Sequence, residues 1–120
     1  MNSIQALNSF WNSFGLEAYD ETKVPDGAQL PYITYGVSKD SFGNTLMQNA
    51  SLWYRSSSWT AITEKEQEIA DFITRGGRTI AYDGGALWIQ RSTPWAQRMN
   101  DSSDDTIRRI VLSVLIEYLD

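Results

Sequence analysis

From Ile4 to Phe14 the apolar residues Ile4, Leu7, Trp11 and Phe14 recur at helical spacing, and Phe10 widens the stripe. Asn2 or Ser3 is placed to cap the start of this helix, and Gly15 to end it. Residues Glu17 to Leu30 carry Asp20, Glu21, Pro25, Asp26 and Gly27 and read as an exposed connection. A β pattern follows. Tyr32 and Thr34 point one way, and Ile33, Tyr35 and Val37 the other. Pro31 is tolerated at the start of this strand, where its missing N–H breaks no ladder. Ser38 to Thr45, with Asp40 and Gly43-Asn44, is a polar loop. A second strand over about Leu46 to Ser56 sets Leu52 and Tyr54 on one face and Trp53 and Arg55 on the other.

Several residues between Ser57 and Thr63 can start a second helix. The strongest start is Thr63-Glu64-Lys65-Glu66, a capping box in which Thr63 and Glu66 satisfy each other's free amides. Trp59 and Ile62 precede it, Ile69, Phe72 and Ile73 continue its apolar face, and Gly76-Gly77 stop it. Glu64, Glu66 and Glu68 near its start and Arg75 at its end match the helix dipole. Next, Arg78–Tyr82 and Ala86–Gln90 flank Asp83-Gly84-Gly85, which predicts a hairpin. Thr93-Pro94 is expected to break its second strand, with Trp95 to Met99 resuming as a short one. Asn100 to Asp105 is an acidic loop. Ile107 to Leu119 is long enough for a helix, but Ile107, Ile110, Val111, Val114 and Ile116 favour a strand. The expected fold is one α+β domain over residues 1–120, two helices packed on a mainly antiparallel sheet. Its order is helix-strand-strand-helix-strand-strand-strand.

Composition narrows the chemistry. The chain has no Cys and no His, which removes disulfides, thiol nucleophiles, imidazole bases and nearly every transition-metal site. Met1-Asn2-Ser3-Ile4 shows no basic region followed by an apolar one, so no secretory leader is expected. The longest apolar stretch, Ile110 to Ile116, is too short to span a bilayer. A net charge of −5 makes free DNA or RNA an improbable ligand and argues against sequence-specific nucleic-acid binding. Five Trp and six Tyr are more rings than a core this small needs, which points to contact surfaces.

The individual clusters have plain readings. Asp101, Asp104 and Asp105 lack the alternating ligands and turn glycine of a calcium loop and read as a solvated turn. Gly76-Gly77 and Gly84-Gly85 lack phosphate-loop spacing and sit where turns need glycine. Ser56-Ser57-Ser58 has no base other than Lys65 or Lys39, and the carboxylates from Glu64 to Asp71 fit helix-dipole and solubility roles. No catalytic residue, metal or cofactor is expected, and the chain is not read as an enzyme. Arg91, Arg98, Arg108 and Arg109, in or beside strands near Trp88 and Trp95, suit a protein interface and equally an exposed sheet face. The Ser38–Thr45 loop with Phe42 suits a docking finger, or a simple connection.

The runs Leu30-Pro31-Tyr32-Ile33-Thr34-Tyr35, Asp40-Ser41-Phe42-Gly43-Asn44 and Ala50-Ser51-Leu52-Trp53-Tyr54-Arg55-Ser56 resemble small neck proteins of tailed phages of Gram-positive bacteria. Tyr82-Asp83-Gly84-Gly85-Ala86-Leu87-Trp88-Ile89, Pro94-Trp95-Ala96-Gln97-Arg98-Met99 and Ile107-Arg108-Arg109 extend the resemblance over nearly the whole chain. Within that group the chain is most similar to the tail terminator, or tail-to-head joining protein. The resemblance implies a virion structural protein, assembled in the host cytoplasm, that forms a ring, commonly a hexamer. Such a ring caps the tail tube, ends its polymerisation and meets the head connector or head-completion protein. It implies contact with the major tail tube protein, for which Asp40, Phe42 and Asn44 are the candidates, and subunit contacts, for which Trp95, Arg98 and Arg108 are the candidates. It implies no membrane partner. The alternatives are another neck component, such as a head-completion or tail-completion protein, and a small ligand-binding or enzymatic α+β domain.

Overall fold

The computed structural model describes residues 1–40, 44–100 and 104–120. Helix α1 (Ser3–Trp11) runs into a 3₁₀ turn (Asn12–Phe14), followed by β1 (Glu17–Asp20), β2 (Tyr32–Tyr35), β3 (Thr45–Arg55), α2 (Thr60–Ile73), β4 (Arg78–Tyr82), β5 (Gly85–Met99) and β6 (Ile107–Leu119). The strands form one mixed sheet in the order β1-β2-β3-β6-β5-β4. β1 and β2 are parallel and every other neighbouring pair is antiparallel.

β6 is the spine of the sheet. It pairs along its length with β3, from Ile107 opposite Arg55 to Glu117 opposite Thr45. Its period of two carries Ile110, Leu112, Val114, Ile116 and Tyr118 into the core. Arg109, Val111, Ser113, Leu115 and Glu117 lie half-buried on the other face. Ile33, Tyr35, Ala50, Leu52, Leu87 and Ile89 extend the core face across the neighbouring strands. Leu7, Phe10, Trp11 and Phe14 of the first helical segment and Ile62, Ile69 and Ile73 of α2 complete the same cluster. Each such side chain, fully buried, contributes about 1.5–3 kcal/mol. Phe10, Phe14 and the partly exposed Phe72 meet edge-on or tilted at 5.3–6.0 Å, joining the two helices.

Where the structure departs from expectation, local bonding explains it. Glu17–Asp20, expected as a connection, is a strand. It is short, buries only Ala18, and adds parallel to β2 with Ala18 opposite Ile33. The observed order therefore has three strands before α2, and the sheet is mixed. Asn2 caps α1 through a box with Gln5, but Ile4 is 42% exposed and not part of the buried stripe. The second helix starts at Thr60, a turn before the Thr63 box. Ser58 Oγ accepts the Thr60 N–H at 3.1 Å, and the Thr63 N–H bonds the Trp59 carbonyl within the helix. Starting early brings Ile62 onto the core face, where it is buried. The helix also ends early, at Ile73, with Thr74 as its cap at φ 67°.

The hairpin forms with Tyr82 opposite Gly85, and Gly84 takes φ 87°. Thr93-Pro94 does not end the strand. β5 runs on to Met99, and the register jumps between Arg91, opposite Val114, and Ala96, opposite Leu112. Pro94 sits inside that bulge, where the ladder asks no N–H of it.

Candidate assembly surfaces

The start of the Ser38–Thr45 segment is fixed from several sides. Tyr118 Oη donates to the Ser38 carbonyl at 2.8 Å, and Gln48 Nε2 donates to Ser38 Oγ. Lys39 Nζ forms an ion pair with Asp120 at 2.9 Å, bonds Ser3 Oγ at 3.3 Å, and lies 5.4 Å from the Tyr118 ring centre. These contacts hold Ser38 and Lys39 at the junction of α1, β2 and the end of β6. Asp40 and Asn44 are exposed. Phe42, the third expected tube-contact residue, lies outside the described residues.

The three expected subunit-contact residues do not form one patch. Arg98 and Arg108 converge on Trp59, with guanidinium carbons 4.7 and 5.3 Å from its ring centre. Arg98 is exposed. Arg108 is half-buried and committed within its own chain, donating to the carbonyls of Asp105 (2.6 Å) and Ser57 (3.0 Å). Trp95 sits apart, packed against the core, with its Nε1 buried and without a hydrogen bond.

On the sheet face away from the helices, Trp53 is the organising ring. Its Nε1 donates to Thr34 Oγ1 at 2.9 Å, Arg109 lies 4.5 Å over it, and Arg109 Nε bonds Ser51 Oγ at 3.1 Å. Arg98 and Arg108 thus partner Trp59 and Arg109 partners Trp53, whereas Arg91 lines a cleft with Trp95, one of the two rings nearest these arginines in sequence. Trp53 stands opposite Arg109 only through the β3–β6 pairing, which no local spacing reveals. Met47 (61% exposed) and Met99 (41%) lie at the margins of the sheet.

The polar clusters are spent on local structure. Asp104 Oδ1 accepts the Thr106 hydroxyl and N–H, and its other oxygen meets Arg55 at 3.3 Å. Those bonds, the hydroxyl's first, hold the Asp104 carboxyl below its usual range. Asp101 lies outside the described residues. Ser56 and Ser58 Oγ accept N–H groups of the turn into α2. Lys65 is tied to the Phe14 carbonyl (2.6 Å) and Glu68 (3.0 Å), so neither it nor Lys39 bonds Ser56, Ser57 or Ser58. Burial pushes the Glu66 carboxyl up, an effect partly offset by the nearby Trp95 indole and by Arg91. Among the described residues no group of carboxylates is arranged to hold a metal ion, and no helix is long and apolar enough to cross a membrane.

The sequence matches no protein-family model and no curated protein. The fold is similar to that of a chain in a solved structure described as the virion of a native gene transfer agent particle. The two align with a TM-score of 0.62 and 16% identity over 99% of this chain and 87% of that one. At that identity the likeness is one of fold, and it takes in both helices and the whole sheet.

Proposed function

We propose that this chain is a structural protein of a phage-like virion, acting at the end of the tail tube. The observation that carries the reading is the end-to-end fold likeness to a chain built into a gene transfer agent particle. Copies of the chain form a ring, of which six is the expected number, that caps the tube, ends its polymerisation and presents a surface to the head connector. Assembly takes place in the host cytoplasm, and no catalytic step is involved.

Two features support the finer assignment. Ser38 and Lys39, which lead into the expected tube-contact residues, are braced by Tyr118 and Asp120, as the base of a finger meeting the major tail tube protein must be. Arg98, exposed beside Trp59, is the member of the subunit-contact set left accessible to a neighbour. The acidic balance also suits a ring through which DNA passes, since each neutralised phosphate would hold the nucleic acid back.

The test is electron microscopy of particles made without this gene. Overlong tails, or tails that fail to join heads, support termination. Tails of normal length on defective heads point instead to another neck component. Normal infectious particles end the proposal.

A further inference from the structure

We infer that the outer edge of β5 beyond Gln90 docks an extended, acid-bearing segment of a different polypeptide. The segment pairs with the backbone of Ala96–Met99 and sets a carboxylate into the cleft between Arg75 and Arg91.

The edge is open because β4 is short. Its pairing with β5 stops at Arg78 opposite Ile89. The Gly76-Gly77 turn covers the next step: Trp88 Nε1 donates to the Gly76 carbonyl at 3.2 Å, and a Cβ on Gly77 would stand 2.8 Å from the Ile89 oxygen. Past that point β5 bonds β6 alone, from Ala96 opposite Leu112 to Met99 opposite Arg109. Gln97, Arg98 and Met99 are exposed there. Among the described residues no hydrogen bond engages the outer side of this stretch. Unpaired edges of this kind accept an added strand.

Beside it lies a cleft of about 300 Å³ lined by Arg75, Arg91, Ser92, Thr93 and Trp95. Its lining side chains are rich in donors: two guanidinium groups, two hydroxyls and the Trp95 indole, whose buried Nε1–H lies near the Glu66 carboxylate without closing a hydrogen bond. The chain has 15 acidic and 10 basic side chains, and Lys39, Arg55 and Lys65 all have carboxylate partners. Among the described residues Arg75 and Arg91 have none. Glu66 is close enough for Arg91 to favour its charged form, yet no ion pair closes between them. Two guanidinium groups facing one cleft favour an anion with planar acceptor geometry.

A phosphate has similar chemistry, but two observations favour a peptide. The alternating N–H and C=O groups of Ala96–Met99 complement another backbone and offer a nucleic acid nothing equivalent, and a net charge of −5 repels a polyanion. The outer strands of a second copy fit less well, since bonds already occupy part of each outer edge. The outer side of β1 is closed by Asn12 at Ala18 and by the Lys23 N–H at the Asp20 carbonyl. The far end of β4 is engaged where the Asp83 N–H bonds the Met1 carbonyl. Trp95, expected at a subunit contact, is thereby assigned to the partner cleft. Calling the partner a virion protein rests on the function proposed above; the chemistry of the cleft does not.

The test is an NMR titration of the ¹⁵N-labelled full chain with a blocked pentapeptide of threonine and valine around a central glutamate. Its glutamine counterpart and a short oligothymidylate serve as comparisons. The expected result is movement of the Trp95 indole N–H and the Ala96–Met99 amides, with the glutamine peptide at least about tenfold weaker, the scale of one charge-assisted contact. Arg91→Gln and Arg75→Gln, both exposed, should each erase that preference and leave the rest of the spectrum in place. No movement at millimolar peptide overturns the inference. So does equal or tighter binding of the oligothymidylate, which makes this a phosphate site. The same shifts on raising protein concentration alone also overturn it, in favour of self-association. Tail length in particles lacking the gene is a separate readout, so failure of the cleft and failure of the virion role are distinguishable.

Discussion

The side-chain amide of Asn12 holds both backbone polar groups of Ala18: Oδ1 accepts its N–H at 3.0 Å, and Nδ2 donates to its carbonyl at 3.3 Å. Because the N–H and C=O of one strand residue face the same side, these groups point away from β2. One amide thus completes the outer edge of the sheet as a further strand would. Replacing Asn12 with Ala leaves both Ala18 groups without this partner and should cost about 1–2 kcal/mol. Asn12→Asp keeps only the acceptor and should fall between. Urea denaturation reads the stability, and faster hydrogen exchange at the Ala18 amide locates the loss. An unchanged exchange rate there sinks the explanation.

That contact also shows what the sequence hides. The long amphipathic and alternating segments were legible: α1, the hairpin, and above all Ile107–Leu119, where β-branched residues outweighed a helix of equal length. β1 was not. Four residues with one buried side chain carry almost no periodic signal, and the strand depends on Asn12, β2 and a chain reversal that are distant or non-repeating. Asn2 and Gly15 bound the first helical segment as expected, but the start of α2 did not follow its local signal, for a related reason. Thr63-Glu64-Lys65-Glu66 is a sound local start, but burial of Ile62 one turn earlier outweighs it. Of the candidate surfaces, the arginines were visible and their partners were not. Trp53 meets Arg109, and Trp59 meets Arg98 and Arg108, only after strands far apart in sequence pair.

Thr74 takes φ 67° and ψ 169° at the end of α2, a region that β-branched residues adopt only with strain. Its hydroxyl recovers part of the cost by donating to the Gly77 carbonyl at 3.0 Å. Thr74→Gly removes both the strain and the bond, and the strain is the larger. The variant should be more stable by about 0.5–1 kcal/mol, seen as a higher urea midpoint with unchanged slope. Thr74→Val keeps the strain without the bond and should be less stable than the parent.

Alkaline pH should weaken the fold through Tyr82, Tyr118 and Tyr54. Burial pushes the Tyr82 phenol up to about 12, with the Asp120 carboxylate adding to the effect. Tyr118 and Tyr54 are raised too, by burial first. In the unfolded chain these phenols ionise near about 10. Below that pH both states hold their protons and stability is flat. Above it the unfolded state releases protons that the folded state keeps, so stability falls through the window from about 10 to about 12. Urea midpoints across that window should drop, and Tyr82→Phe should flatten the decline. Equal slopes for parent and variant would place the loss elsewhere.

Arg98 and Arg108 lie against one indole ring, yet charge reversal should separate them. Arg98 is exposed and its one described interaction is the 4.7 Å approach to Trp59, so Arg98→Glu should cost the isolated chain about 0.5–1 kcal/mol. Arg108 donates to two carbonyls that brace the turn into α2 and the start of β6. Arg108→Glu turns those contacts repulsive and should cost about 1.5–3 kcal/mol, the scale of hydrogen bonds from a charged donor. If copies of the chain meet at Trp59, particles carrying Arg98→Glu should fail to assemble although the purified variant folds. Normal particle yield from Arg98→Glu would leave this arginine as a solvated cation resting on a ring, and the subunit contact would have to lie on another face.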